Sequence, residues 1–190
     1  MDHDLYLLRL TAERKNLELS CSIAPNVPAY IHADRERLAQ VISNLVSNGI
    51  KFTKDGSVAV NIENDGYDSN NNLQLKVIVT DTGGGIDKQN QERISLYFNQ
   101  KTGYQASHSL VLGSTGVGLT VVAQLVRIMR GEVGFESSSS GTTFWFTIPV
   151  QEVADYLAIE EQGNRALESI EKITTYALKG VKVLLAEDDY

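Results

Sequence analysis

Two hydrophobic periods alternate along the chain and divide it into elements. Apolar residues recur at about 3.6 positions from Leu5 to Leu10, predicting a helix, and LELSCSI, Leu17 to Ile23, alternates as a strand does. A turn with Pro25 and Pro28 follows. From Asp34 to Phe52 the residues Leu38, Val41, Ile42, Leu45 and Phe52 return at helical spacing, with Asp34 as N-cap and Lys51 near the end. Two strands come next, SVAVNIEN (Ser57 to Asn64) and LQLKVIVTD (Leu73 to Asp81), joined by GYDSNNN, whose Gly and Asn residues suit turn geometry. A short helix is expected from Asp87 to Phe98.

The segment NQKTGYQASHSLVLGSTG then loses all period and reads as a long mobile loop. A helix resumes over Gly116 to Arg130, with Leu119, Val122, Ala123, Val126 and Met129 on one face and Gly131 closing it. Strands are predicted in GEVGFES and TTFWFTIPV, around the turn Ser137 to Gly141. The order helix, two strands, helix, two strands predicts a mixed α/β fold with a mainly antiparallel sheet. From Gln151 to Leu178 the composition turns acidic and helical, as in a linker, before KGVKVLLAEDDY offers a short apolar strand that ends in acids.

Charge and composition narrow the partners. With 17 basic and 24 acidic residues in 190, the net charge is −7, which disfavours nonspecific binding to nucleic acid or anionic lipid. Any phosphate must therefore be held locally. Cys21 is the single cysteine, so no internal disulfide framework exists, in keeping with a cytoplasmic location. The start MDHDLYLL lacks a basic signal region, and no apolar run approaches the roughly 18 residues of a membrane span, so this fragment is expected to make no membrane contact.

Three segments carry candidate chemistry. On the second helix, at 100° per residue, Asn48 lies about 40° from Asn44 and Lys51 about 20° to the other side, so the three form one stripe bordering the apolar face. An Asn carbonyl is a neutral hard ligand suited to Mg2+, and an ammonium one turn away offsets phosphate charge. In DTGGGI, Asp81 ends an apolar strand, and Gly83, Gly84 and Gly85 let backbone approach a ligand. GSTGVGL, Gly113 to Leu119, puts glycines before a helix start, where free N–H groups attract phosphate; without Gly-Lys-Ser/Thr it is not a Walker A loop.

In their order (Asn stripe, strand-end Asp with glycines, long loop, Gly-rich helix start, then SGTTF) these segments resemble the N, G1, F, G2 and G3 boxes of the ATP-binding domain shared by sensor histidine kinases, gyrase, the Hsp90 chaperones and MutL. The resemblance spans roughly Leu5 to Val150. It implies a Bergerat-type fold, a two-layer α/β sandwich with a mixed, mainly antiparallel sheet packed on helices. It implies that Asn48 coordinates Mg2+ with Asn44 and Lys51 near the phosphates of ATP, and that Asp81 recognises adenine with Gly83 and Gly85 shaping the pocket. Gly113, Gly116, Gly118 and Leu119 would form the lid end beside the phosphates, and Thr143 would support the adenine side.

DRERLAQVISNLVSNGIKFT is similar to the sensor kinase branch. The hydrolases of the superfamily place Glu where Asn44 stands, and an amide cannot accept a proton from water at neutral pH. VLLAEDDY looks like the first strand of a receiver domain, with Glu187 and Asp188 as incipient metal ligands. The resulting organisation is a catalytic ATP-binding domain over residues 1–150, a helical linker over 151–179 and a truncated receiver strand over 180–190, cut from a hybrid histidine kinase. Its expected partners are ATP, the parent protein's histidine-bearing dimerisation hairpin and the receiver domain of the phosphorelay. The sequence departs from the family at the F box, which reads SLYF (Ser95 to Phe98), at Gly49, where Ala is usual, and at Ser139, where a glycine is common. The eroded F box leaves a nucleotide-sensing module without transfer as the alternative, and a hydrolase as a more distant one. HDLYLL at His3 faintly resembles a histidine box, but the hairpin that carries such a histidine does not fit between His3 and the strand at Leu17.

Overall fold

The computed structural model of the chain describes residues 2–99, 117–153 and 182–184. These form α1 (Asp2–Arg14), β1 (Glu18–Ile23), β2 (Tyr30–His32), α2 (Arg35–Phe52), β3 (Ser57–Tyr67), β4 (Leu73–Asp81), α3 (Lys88–Asn99), α4 (Val117–Ile128), β5 (Glu132–Ser138), β6 (Gly141–Glu152) and β7 (Lys182–Leu184). The strands join in the order β1-β3-β4-β6-β2-β7, with β5 also paired to β6. Pairs β1·β3 and β2·β7 are parallel and the other four antiparallel, so the sheet is mixed and mainly antiparallel, as the sequence predicts.

Directly opposed residues of an antiparallel pair share a face, so register turns the alternation of each strand into rows across the sheet. Ile62, Val77 and Phe146 form one row, Val60, Val79 and Phe144 the next, and Val58, Asp81 and Thr142 the last. All nine side chains are buried. Onto the sheet pack α2 and α4, which also touch each other, and α1 lies against α2. The N-cap of α2 is Asp34, whose Oδ1 accepts from Arg37 N at 3.0 Å, satisfying one of the helix's first free donors. Its buried stripe runs through Leu38, Val41, Ile42, Leu45, Val46, Gly49 and Ile50.

Phe52 departs from the expected pattern. It is 56% exposed although it lies on the stripe of Leu45, because the last turn of α2 borders a cleft rather than a packed layer. The strand β2, three residues long, carries no readable period and lies between the predicted turn and α2, where no element was expected. It also explains why β6 continues to Glu152, two residues past the expected boundary: Gln151 and Glu152 pair with His32 and Ile31. Within the expected receiver strand, Lys182–Leu184 forms β7, parallel to β2. Residues 154–179 of the expected linker and residues 100–116 of the expected loop, including Gly113 and Gly116, lie outside the described residues. Among the described residues no helix is long and apolar enough to cross a membrane.

On the sheet face opposite the core, Gly134 stands opposite Trp145. A Cβ at Gly134 would lie 2.3 Å from Trp145 Cζ2, so the indole lies directly over the glycine. Lys76 Nζ is 5.7 Å from the indole centroid and 3.7 Å from Asp65 Oδ1, which brings a cation onto the ring as well. Gly134→Ala should therefore overpack this face and destabilise the protein by about 1–3 kcal/mol. Gly84→Ala, where nothing lies within 4 Å of an added Cβ, should stay within about 0.5 kcal/mol of the parent. Urea unfolding of the two variants checks the contrast.

Candidate functional site

A cleft of about 210 Å3 opens between the last turns of α2, the β4–α3 connection, α3 and the start of α4. Of the predicted stripe, Asn48 and Lys51 line it. Lys51 Nζ sits 4.9 Å from the ring centroid of Phe52, which lines the same wall. Asn44 lies one turn back, under α4: a Cβ at Gly118 would stand 3.5 Å from Asn44 Oδ1 and 4.0 Å from Asn48 Nδ2. Gly118 thus brings the first turn of α4 onto the amides of α2. Leu119 lines the cleft beside it, as does Thr120, which the sequence reading did not single out.

The opposite wall is built on Asp81, which is 7% exposed. Its Oδ1 accepts from Gly83 N at 2.9 Å and from Thr142 N at 3.3 Å. Among the described residues nothing donates to Oδ2. Burial pushes the Asp81 carboxyl above the ordinary carboxylate range, and the two backbone N–H groups oppose that shift.

Glycines surround this carboxylate because side chains do not fit there. A Cβ at Gly83 would come within 2.9 Å of both Asp81 Oδ1 and Phe52 O, and one at Gly141 (φ +139) within 2.0 Å of Asp81 O. At Gly49, the departure from the family's usual Ala, a Cβ would press Val58 at 3.1 Å and Asp81 Cβ at 3.5 Å. Gly85 lines the cleft with φ +74, and a Cβ there would strike Ser138 O at 1.8 Å, so this loop closes on the β5–β6 turn only as glycine.

Thr143 is corrected by register. Its Oγ1 lies 3.1 Å from Thr80 Oγ1 on the opposite sheet face, and it does not line the cleft. Thr142 does: buried, it holds Asp81 through its N–H and Ser137 Oγ through its hydroxyl at 2.9 Å. Side chains alternate along β6, so only one of two adjacent threonines can face the helices.

From α3, the eroded F box contributes Tyr97 and Phe98 to the lining. Phe98 meets Phe135 and Phe144 edge-on, at 6.0 and 6.4 Å between centroids, so its retained aromatic is tied to the core. Arg127 of α4 donates to Tyr97 O at 2.6 Å near the end of α3. Asp87 and Asn90 also line the cleft and went unnoticed in the sequence, although Asp-x-x-Asn at a helix start is a readable cap. Asp87 accepts from Asn90 N at 3.0 Å and Asn90 Nδ2 at 2.5 Å, and the backbone bond first of all holds its carboxyl below the ordinary range. Among the described residues no group of three or more His, Cys, Asp or Glu is placed to hold a metal ion.

Known proteins resemble this chain in sequence and in fold. The histidine-protein kinase BarA of Escherichia coli (strain K12) is 39% identical over 149 residues, covering 78% of this chain and 16% of BarA. Hybrid signal transduction histidine kinase K of Dictyostelium discoideum is 31% identical over 192 residues, covering 97% of this chain and 15% of that protein. This chain therefore spans about a sixth of either relative. Among solved structures, full-length ShkA in complex with AMPPNP superposes with a TM-score of 0.61 at 25% identity, over 98% of this chain and 38% of ShkA. The signature of the family described as "Histidine kinase-, DNA gyrase B-, and HSP90-like ATPase" matches residues 33–152. With the relatives and the fold in agreement, the chain belongs to that family.

Proposed function

We propose that this chain is the cytoplasmic ATP-binding part of a hybrid histidine kinase, which binds Mg-ATP and presents its γ-phosphoryl group to a histidine on a dimerisation hairpin elsewhere in the parent protein. The observation that carries this reading is that one cleft has a half-satisfied buried carboxylate on one wall and amides with an ammonium, under the first turn of α4, on another. Asp81 Oδ2 accepts from the exocyclic amine of adenine while Oδ1 stays tied to Gly83 and Thr142. The helix start and Lys51 offset phosphate charge. Phosphoryl transfer asks mainly for such positioning and neutralisation.

The donor set fits Mg2+ bound together with nucleotide. With no carboxylate cluster in the described residues, Asn48 would hold the ion through its amide oxygen, a hard neutral donor of the kind Mg2+ prefers when it is bound together with nucleotide. Bound there, Mg2+ supplies charge neutralisation. Asn44 cannot act as a general base toward water, which favours transfer over hydrolysis. VLLAEDDY resembles the first strand of a receiver, the kind of domain that takes such a phosphoryl group onward, although Lys182–Leu184 pairs here with β2. The relatives' names, two of them histidine kinases, support this assignment.

Asp81→Asn should weaken ATP binding at least tenfold, since a bond to a charged acceptor contributes about 1.5–3 kcal/mol. Its effect on stability runs the other way. Burial raises the folded-state pKa of Asp81, so the native state holds that proton more firmly than the unfolded chain. Stability then falls as pH rises from the ordinary carboxylate range through the folded value, and the penalty persists above it. Asp81→Asn removes that slope, so at neutral pH the variant should unfold at the same or a higher temperature; scanning calorimetry alongside ATP titration reads both.

Asn48→Ala should weaken Mg-ATP binding by about tenfold while leaving metal-free ATP binding in EDTA unchanged, and Mg2+ alone should give no binding heat with the parent chain. Mixed with Mg-ATP and the parent protein's hairpin as a separate chain, this chain should place acid-labile, base-stable phosphate on the hairpin histidine, and alone it should release little phosphate. An unlabelled hairpin with ATP demonstrably bound would replace the kinase reading with a sensing module, the role that SLYF in the F box favours.

A further inference from the structure

We infer that Lys15, in the connection between α1 and β1, is a positioning residue for the nucleotide site; this rests on the ATP-binding reading above. A helix ends with carbonyls that have no donor within the helix and carries about half a negative charge there. The common solution, a left-handed glycine just past the end, is absent from α2: its C-cap is Thr53 in extended conformation, φ −92 and ψ 129, returning one bond to Gly49 O. Lys15 takes over. Its Nζ donates to Ile50 O at 2.5 Å, Thr53 O at 2.8 Å and Lys51 O at 3.2 Å.

Those carbonyls belong to the turn whose side chains line the cleft. Lys51 and Phe52 project from it, Asn48 stands one turn earlier, and Phe52 O is the atom that excludes a Cβ at Gly83 beside Asp81. Lys15 is held from its own side, because Ala12 and Leu17 are buried and Leu17 N bonds Ala12 O at 2.9 Å across the turn. The ammonium therefore does two things at once. It fixes the backbone from which Lys51 reaches the phosphates, and it cancels negative potential that the helix end would otherwise direct toward them. Adenine recognition runs through the hydrogen bonds of Asp81, Gly83 and Thr142, which meet this turn only where Gly83 abuts Phe52 O, so Lys15 bears on it far less than on the phosphate side.

The test compares Mg-ATP and adenosine affinities in the 190-residue chain and its Lys15→Met and Lys15→Arg variants, by calorimetry at a temperature where circular dichroism shows each folded. Lys15→Met should weaken Mg-ATP by about tenfold and adenosine by less than about twofold, and Lys15→Arg should restore most of the loss, since its guanidinium donates to the same carbonyls. An unchanged ratio of the two affinities, whether both hold or both fall together, would reduce Lys15 to a structural cap and overturn the proposal. Should Lys15→Met not fold, Lys15→Gln carries the same comparison, with the same ratio expected to drop. A parent chain that binds neither ligand would overturn the ATP-binding reading itself, a result distinct from an unchanged ratio.

Discussion

A carboxylate buried at the end of an apolar ladder must be satisfied by backbone, and much of this molecule's site end is arranged around that requirement. Asp81 stands in the middle of the row that runs from Val58 to Thr142. Each neighbour that supplies or makes room for its hydrogen bonds is constrained: Gly83 and Thr142 donate, while Gly49 and Gly141 keep α2 and the β5–β6 turn close enough to seal it. The unusual glycine at position 49 is thereby accounted for. Its helix-weakening effect, roughly 1 kcal/mol relative to Ala at most, is offset by contact with Val58 and Asp81 that a methyl group would crowd.

Burial of Asp81 also sets the polarity of the cleft. One oxygen is committed to Gly83 and Thr142 and the other accepts from none of the described residues, so a donor that reached it would relieve a group kept at an energetic disadvantage. From there α2 carries the geometry along the cleft, where Asn48 and Asn44 meet the first turn of α4 at Gly118 and Lys51 lines the wall. A single rigid helix, anchored by Asp34 at one end and Lys15 at the other, links the Asn48–Lys51 wall of the cleft to the sheet.

Much of this was legible in the sequence because long elements repeat their period many times. β4 begins and ends where the alternation of LQLKVIVTD does, and α2 begins after the Asp34 that caps it. Asn48, Lys51, Asp81, Gly85 and Leu119 line the cleft as expected. The failures have definite causes. Three residues of β2 are too few to show alternation, and Phe52 fits the helical stripe but has no layer beneath it. Thr143 was misassigned although TTFWFTIPV held the answer: the face that carries Phe144, Phe146 and Ile148 must also carry Thr142. The Lys15 contacts join residues far apart in the chain, which no local pattern reveals.

The stack of Trp145 on Gly134 has a practical consequence. Trp145 is the only tryptophan in the chain, and it sits on the sheet face turned away from the cleft, half-buried between a glycine and the Lys76 ammonium. Its emission therefore reports the intactness of the β4–β6–β5 pairing and is spectroscopically silent toward occupancy of the cleft. One optical signal can thus follow the scaffold while nucleotide is titrated independently, which separates loss of fold from loss of binding in a single cuvette.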